Sequence, residues 1–349
     1  MLLRRCRSRE GPTERLGWST RRCAGWSCPH GGQRVHPQPV ARVSVTAGIR
    51  PPVCIAIDPA GLAGRPGNLI PVNRADGERV DAGSLTGVSE TALLTLNARA
   101  YQARHPNPVI DDPMAIQLAD AIDFDFGKFG RRGQETAVRA LAFDRAAARY
   151  LTRRPSAVVV ALAEGLQTSF WRLNSALPDA TFRWVTVDLP PVVELRRRLL
   201  PSSPRILSIA QSALDYTWMD QVDASDGVFI TAEGLLMYLQ PDEAMGLIRE
   251  CANRFPGGQM MFDLPPVLVK RLAPNGMRAS RRYRVPPMPF SMSASQLAEL
   301  AGTVPGIHAV HDLPMPHGRG LVFDRLFPAF WQLRLTKQIR GAYTLLDFG

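Results

Sequence analysis

Apolar residues settle into a regular rhythm only from Thr86 onward. Between Thr86 and Arg104, Val88, Ala92, Leu93, Leu96 and Ala100 recur at helical spacing, with Ser89 as the expected cap and His105-Pro106 as the stop. Asp111-Asp112-Pro113 opens a second helix, with Asp112 as cap and Pro113 at the first helical position. Gly133–Arg153 reads as a third, with Val138, Leu141, Ala142, Ala146 and Tyr150 along one side. Three helices therefore precede any strong strand.

Strands and helices then alternate. Ala157–Ala163 (AVVVALA) is short, β-branched and continuously apolar, the pattern of a strand covered on both faces. A loop and a helix follow at Gly165–Leu177, a strand at Phe182–Asp188 (FRWVTVD) and a helix at Pro191–Leu200. Arg205–Ala210 and Gly227–Thr231 are further strands, and a helix from Asp242 to Arg254 leads to a strand at Gln259–Asp263. Residues 265–290 are rich in Pro, Arg and Met and break the rhythm, as an insertion over the sheet edge would. Ser295–Gly302, Ile307–Leu313, Leu321–Leu335 and Ala342–Phe348 then supply helix, strand, helix and strand. The alternation predicts an α/β fold with a doubly wound, mostly parallel sheet of seven strands. On this reading residues 83–349 are the folded domain, with an N-terminal helical cap over 83–154 and a lid insertion over 265–294.

Composition divides the chain at the same place. Of 349 residues, 45% are hydrophobic and 21% charged, enough for one large α/β domain with an extension. The net charge of +11 is concentrated in the leader: residues 1–80 hold 13 arginines and five acids, a net of +8. Residues 1–82 are rich in Gly, Pro, Arg and Ser without sustained apolar period, and read as a disordered, solvated leader with a short strand pattern at Pro52–Ile57. The leader lacks the apolar stretch of about 7–15 residues that an export signal needs. It offers no aromatic platform beyond Trp18 and Trp26 for a nucleic acid, and Cys23, Cys28, His30 and His36 match no common zinc-finger spacing. No apolar run reaches the roughly 18–20 residues that cross a bilayer. Five cysteines exclude a disulfide scaffold. The expected protein is cytoplasmic, with no nucleic-acid partner, membrane partner or metal.

In an open parallel sheet, ligands sit beyond the carboxyl ends of the strands, where strand order reverses. Ala163-Glu164-Gly165-Leu166-Gln167-Thr168 follows the first strand, Asp188 ends the second, Ser212-Ala213-Leu214-Asp215 follows the third and Glu233-Gly234 the fourth. A small-residue turn admits a ligand to the backbone, and a carboxylate at the second strand accepts both hydroxyls of a ribose. The pair marks a nucleoside cofactor. Gly165 alone does not make the Gly-x-Gly-x-x-Gly that seats a dinucleotide pyrophosphate. That counts against a nicotinamide-dependent oxidoreductase and leaves S-adenosylmethionine, which has no phosphate.

These residues resemble the leucine carboxyl methyltransferase family, and within it the bacterial polyketide-type O-methyltransferases. The likeness rests on Val88-Ser89-Glu90-Thr91-Ala92 with Asn97-Ala98-Arg99-Ala100 and Ile110-Asp111-Asp112-Pro113, and on Val160–Thr168 with Phe170-Trp171-Arg172-Leu173. Val187-Asp188-Leu189-Pro190 and Thr231–Leu239 complete it. The resemblance implies a Rossmann-like class I methyltransferase sheet, S-adenosylmethionine as cofactor and a small-molecule acceptor. By position it implies that Arg99 and Arg139 hold the methionyl carboxylate, that Gly165 lets the backbone approach the methionine part, and that Asp188 takes the ribose hydroxyls. Ala213 and Leu214 would line the adenine, and Glu233 would face the substrate beside the amino group and sulfonium.

The family loop usually reads Leu-Gly-x-Gly-x-Asp-Thr-Arg, whereas this chain has Ala163, Gln167 and Ser169 at three of those places. Ala163 is tolerable at negative φ and costly at positive φ. A non-catalytic or weakly active relative is the alternative these departures raise. Other roles also stay open: Asp188 as a helix cap, Glu233 as a helix-start carboxylate, Arg99 and Arg139 as solvated arginines, Asp215 as a cap. A carboxylate acceptor needs no base, whereas a hydroxyl needs one, from Glu233, His308 or His311. Arg271, Arg278, Arg281, Arg282 and Arg284 either face an anionic acceptor from a lid or form a solvated basic loop.

Overall fold

The computed structural model describes residues 79–349. Its main sheet contains β1 (Val158–Leu162), β2 (Arg183–Asp188), β3 (Ile206–Ala210), β4 (Val228–Ala232), β5 (Gln259–Leu264), β6 (Ile307–Asp312) and β7 (Ala342–Phe348). They lie in the order β6-β7-β5-β4-β1-β2-β3, and only β7 runs against its neighbours. This is the expected doubly wound, mostly parallel α/β sheet. Strand order reverses between β1 and β4, so the crevice at their carboxyl ends is where a ligand belongs. The leader readings for residues 1–78, including the strand pattern at Pro52–Ile57 and the Cys23, Cys28, His30 and His36 set, lie outside the described residues.

Alternation along the buried strands supplies both cores, because successive side chains point to opposite faces. Val158, Val160 and Leu162 of β1 join Val185, Ile230 and Met260 on one face, covered by Leu247, Ile248 and Cys251 of α6 (Pro241–Arg254). Val159 and Ala161 join Trp184, Phe229 and Met261 on the other. That face is covered by Phe143 and Ala146 of α3 (Glu135–Arg153) and by Phe170 and Leu173 of α4 (Ser169–Ala176). Cys251 is the small buried residue its mid-helix position suggests.

The N-terminal helices form a third cluster. α1 (Thr91–Ala103) and α2 (Pro113–Ala121) bury Leu93, Leu96, Met114 and Leu118 against Val192, Leu195 and Leu199 of α5 (Pro190–Leu199). Asp112 caps α2 as expected, accepting from Ala115 N at 3.0 Å, with Pro113 opening the helix. Ser89 does not cap α1: the N-cap is Glu90, whose side chain makes no capping bond, and the Thr91 hydroxyl donates to Val88 O at 2.6 Å. Glu90 instead pairs with Lys128, so a tertiary ion pair takes the acid at the helix start.

The insertion after β5 packs onto these helices. It holds a six-residue helix, Val267–Leu272, and a two-residue hairpin pairing Met277–Arg278 with Arg284–Val285. Tyr283 and Val285 enter the N-terminal cluster, and Tyr283 meets Phe129 edge-on at 4.7 Å. All five insertion arginines are exposed. Three are spent on surface contacts: Arg278 on Ser280 O, Arg282 on Asp125 and Arg284 on Gly276 O. The helix expected over Leu321–Leu335 runs without a gap from Leu321 to Gln332, through a π-turn at Val322–Leu326, and stops at Leu333, where the backbone is extended and a short turn (Arg334–Thr336) follows. Trp331 anchors the end of this helix: its indole donates to Leu313 O at 3.1 Å and stacks on Tyr343, with the Arg340 guanidinium over the ring. No helix among the described residues is long and apolar enough to cross a membrane.

Asp112 is fully buried between Arg99 and Arg172 as well as capping α2. Asp112→Ala leaves two buried guanidiniums short of a partner, and urea unfolding is expected to show a loss of about 3–5 kcal/mol.

Candidate active site

The loop leaving β1 turns sharply over the strand tip because two of its first three residues are left-handed, Ala163 at φ 48 and Gly165 at φ 59. At Gly165 a side chain is disfavoured twice, by the positive φ and because a Cβ would lie 3.0 Å from the Ala92 methyl. Ala163 is the one non-glycine at positive φ among the described residues. The costly case for this methyl is therefore the one realised.

Asp188 reaches this turn from the tip of β2. Its Oδ2 accepts from Gly165 N at 2.7 Å and its Oδ1 from Leu189 N at 2.8 Å. Burial pushes its carboxyl up to about 6, although both N–H groups favour the charged form. The capping alternative is not what is seen: α5 has Leu189 as N-cap, with no side-chain cap bond. Behind the loop stands Arg196 of α5, donating to Gly165 O at 2.7 Å and Gln167 O at 2.9 Å and pairing with Glu164 at 2.9 Å. Glu164 also accepts from Thr186 and Trp184 of β2. Sequence reasoning missed Arg196 within an Arg196-Arg197-Arg198 run. The available signal was its register with buried Val192 and Leu199 on one face of α5.

A second group gathers at β4 and β5. Arg139 of α3 donates from Nε to Glu233 Oε1 at 3.0 Å and from Nη1 to Asp263 Oδ2 at 3.4 Å. Burial works against its charge, but Asp263 and Glu233 outweigh it and hold the guanidinium above its ordinary pKa. Asp263 also accepts from Gly234 N at 2.7 Å, and a Cβ on Gly234 would press within 3.1 Å of the Arg139 guanidinium. The Gln167 amide donates to both Glu233 oxygens, at 2.9 and 2.8 Å.

Arg172 of α4 joins this group to the helical cap. It donates to Asp112 and Asp144, each at 2.6 Å, and to Thr168, Gln167 and Ser169. Burial raises the Asp144 carboxyl despite Arg172. Burial also acts to raise Asp112, but Arg172 and Arg99 together bring it below the usual carboxylate value. Arg99, fully buried, donates to Leu166 O at 2.6 Å and Asp112 at 3.3 Å, while its Nη1 is buried with no hydrogen-bond partner. Neither Arg99 nor Arg139 is a solvated helix arginine.

The expected residues Arg99, Arg139, Ala163, Gly165, Asp188 and Glu233 thus meet around one loop. Ala213 and Leu214 follow β3, three and four residues beyond Ala210, which pairs with Asp188. Ala213 is buried, with its carbonyl taken by Trp218 Nε1 at 3.1 Å. Asp215 caps a short turn by accepting from Thr217 N at 3.3 Å, as the capping alternative holds. His308 and His311 are exposed on β6, the edge strand, with β7 and β5 between them and β4, and His311 is bonded to Asp347.

The leucine carboxyl methyltransferase profile matches residues 92–252, which contain most of this constellation. The tetracenomycin polyketide synthesis O-methyltransferase TcmP of Streptomyces glaucescens is 34% identical over 226 residues, 64% of this chain and 81% of that protein. The chain belongs to the leucine carboxyl methyltransferase family. A second relative, the S-adenosyl-L-methionine-dependent methyltransferase dpfgK of Gibberella zeae, is 30% identical over 54% of this chain and 70% of its own length. A solved duf574 family protein from Streptomyces avermitilis covers 72% of this chain and 97% of its own, at 16% identity and a TM-score of 0.47.

Two outcomes follow for this family member. Ala163→Gly removes a left-handed penalty of about 1–2 kcal/mol and adds unfolded-chain entropy of about 0.4–1 kcal/mol, so a net gain of roughly 0.5–1 kcal/mol is expected in urea unfolding. Asp188 is raised on folding from 3.8 to about 6. Its contribution to stability is therefore full below pH 4 and lost as pH rises through 6. Between those limits the wild type is expected to lose roughly 2–3 kcal/mol relative to Asp188→Asn, read from unfolding midpoints across pH.

Proposed function

We propose that this chain is an S-adenosylmethionine-dependent O-methyltransferase acting on a carboxylate or hydroxyl oxygen of a small, polyketide-like acceptor. The observation that carries the reading is the contact between Asp188 at the tip of β2 and the left-handed turn at Gly165 leaving β1, at the sheet's switch point. Each Asp188 oxygen has one N–H bond in this contact, which leaves acceptor capacity for two ribose hydroxyls. Arg99 Nη1, buried and unpartnered, suits the methionyl carboxylate. Ala213 and Leu214, which follow the β3 residue paired with Asp188, are the apolar residues proposed to line an adenine. The surrounding ionic cluster sets Arg99, Arg139 and Arg172 against Asp112, Asp144, Glu233 and Asp263, one negative charge in excess. That excess complements a cofactor whose net charge is positive.

When bound, S-adenosylmethionine supplies a methyl group activated by a sulfonium. The protein's part is to align and desolvate the partners. Glu233 is held between the Gln167 amide and Arg139, so its oxygens are fixed in direction. It is the group proposed to face the amino group and sulfonium. His308 and His311 stand on the far edge of the sheet. Of the three base candidates only Glu233 lies at the site, and its oxygens already accept from Arg139 and Gln167, which favours an acceptor oxygen that is already ionised and needs no base. The relatives named as a polyketide O-methyltransferase and as an S-adenosyl-L-methionine-dependent methyltransferase support the same reaction class.

Calorimetric titration with S-adenosylmethionine is expected to give saturable binding by the wild type and at least tenfold weaker binding by Asp188→Ala, about 1.4 kcal/mol. Equal affinities would move the site away from β2. Incubation with aromatic carboxylic acids and phenols then sorts the acceptor, because a methyl ester is cleaved by mild base and a methyl ether is not.

A further inference from the structure

We propose that two segments beside the carboxyl end of β5, residues 265–290 and 321–340, form a docking surface for an anionic lipid membrane. The surface stands apart from the methyltransferase reading. Of fifteen exposed large apolar side chains among the described residues, eleven lie in these two segments. Leu335, 93% exposed, and Leu272, 75% exposed, are the most open of them. The helix Val267–Leu272 buries none of its own residues and leaves Leu268 and Leu272 in solvent. From Leu321 to Gln332 only Pro328 is buried, while Leu321, Val322, Leu326, Phe327 and Phe330 are exposed. Apolar surface gathered in this way marks a place that another surface covers.

The two segments adjoin. A Cβ on Gly341 would lie 3.6 Å from the Pro266 ring and 3.7 Å from the Trp331 indole, so the start of the first helix meets the end of the second. Both stand at the end of the sheet that carries Glu233 and Asp263. Leu264 closes β5 just before Pro265-Pro266, and Tyr343, stacked on Trp331, pairs with Asp263.

Charge decides what covers them. Residues 79–349 hold 30 basic and 26 acidic side chains, a net of +4. The two segments hold ten basic side chains and one acid, Asp324, a net of +9. The rest of the described residues are therefore net negative. Lys270, Arg271, Arg281 and Arg334 are exposed and make no ion pair among the described residues. A second copy would bring the same positive charge and repel. The centre of a protein interface is depleted of charge, whereas here cations alternate with apolar residues, in Lys270-Arg271-Leu272, Arg325-Leu326-Phe327 and Leu333-Arg334-Leu335. That interleaving suits the boundary of a bilayer, where Leu and Phe enter the edge of the hydrocarbon and Lys and Arg meet lipid phosphates. No helix among the described residues is long and apolar enough to cross a membrane, so the attachment is peripheral. The expectation of no membrane partner rested on the lack of a spanning run, which an interfacial surface does not need. Under the methyltransferase reading, the bilayer is the reservoir of an apolar acceptor.

The test is co-sedimentation of the full chain with vesicles of phosphatidylcholine, alone or with about 30% phosphatidylglycerol. The leader is itself basic, so the deciding comparison is between full chains that share it. The apolar variant L272S/L326S/F330S and the charge variant K270E/R271E/R334E are each expected to bind anionic vesicles at least tenfold more weakly than wild type. Neutral vesicles are expected to hold the wild type at least tenfold more weakly than anionic ones. Both variants change exposed residues outside the site, so S-adenosylmethionine affinity is expected to stay within about twofold of wild type. No vesicle binding by the wild type, or binding by either variant equal to wild type, overturns the proposal, the latter by assigning attachment to the leader. A wild-type dimer that the apolar variant disperses, with no vesicle binding, gives the face to a second copy and overturns it too. So does polyglutamate that binds the wild type as tightly as anionic vesicles do, which gives the face to an acidic protein. If one variant fails to fold in thermal unfolding, the other decides alone. A wild type that binds vesicles but not S-adenosylmethionine keeps the docking surface and sinks the methyltransferase reading.

Discussion

A guanidinium donates hydrogen bonds and accepts none, and around Arg172 that constraint organises the site. One buried side chain meets Asp112 at the start of α2, Asp144 inside α3 and three side chains at the start of α4. Charges removed from water are tolerated only with partners in good geometry. The three helices are therefore held in one relative placement by the need to keep Arg172 satisfied. Through Gln167 the same requirement extends to Glu233, and through Arg139 to Asp263 on β5. The helical cap and the sheet meet in this ionic seam, which is also the wall of the crevice.

The loop from β1 is clasped from two sides. Asp188 takes its Gly165 N–H while Arg196 holds the carbonyls of Gly165 and Gln167, so backbone donors and acceptors are both accounted for close to a strand tip. The strain of a left-handed Ala163 persists because its neighbours over-determine the turn. Asp188 is correspondingly less acidic than an ordinary carboxyl, since burial outweighs its two N–H partners. In the proposed function this buried acid, with its partners directed and a reversed turn beside it, is the group that would take the hydroxyls of a ribose.

Much of this was legible along the chain because it is local. Strands β1, β2 and β4 announce themselves by short β-branched runs, and Asp112-Pro113 by capping chemistry that operates within four residues. Asp188 was readable from its place at a strand end. Ser89 was misread as the cap of α1 because the competing event, the Glu90–Lys128 pair, joins residues 38 apart. The helix expected over Leu321–Leu335 ends three residues early, at Gln332, where Trp331 bonds to Leu313 and stacks on Tyr343, partners that helical spacing does not anticipate. Arg172 lay inside a recognised stretch without a role, since its partners Asp112 and Asp144 lie 60 and 28 residues away.

By itself the sequence determined the order of elements, the sheet class and which residues stand at the strand tips, because hydrophobic period and capping act over one or two turns of chain. Only the tertiary structure decided which charges pair, that Gln167 turns its amide toward Glu233, and that the two histidines belong to a distant edge. Those outcomes depend on how buried donors and acceptors from separate elements satisfy one another, and that matching has no imprint on local spacing.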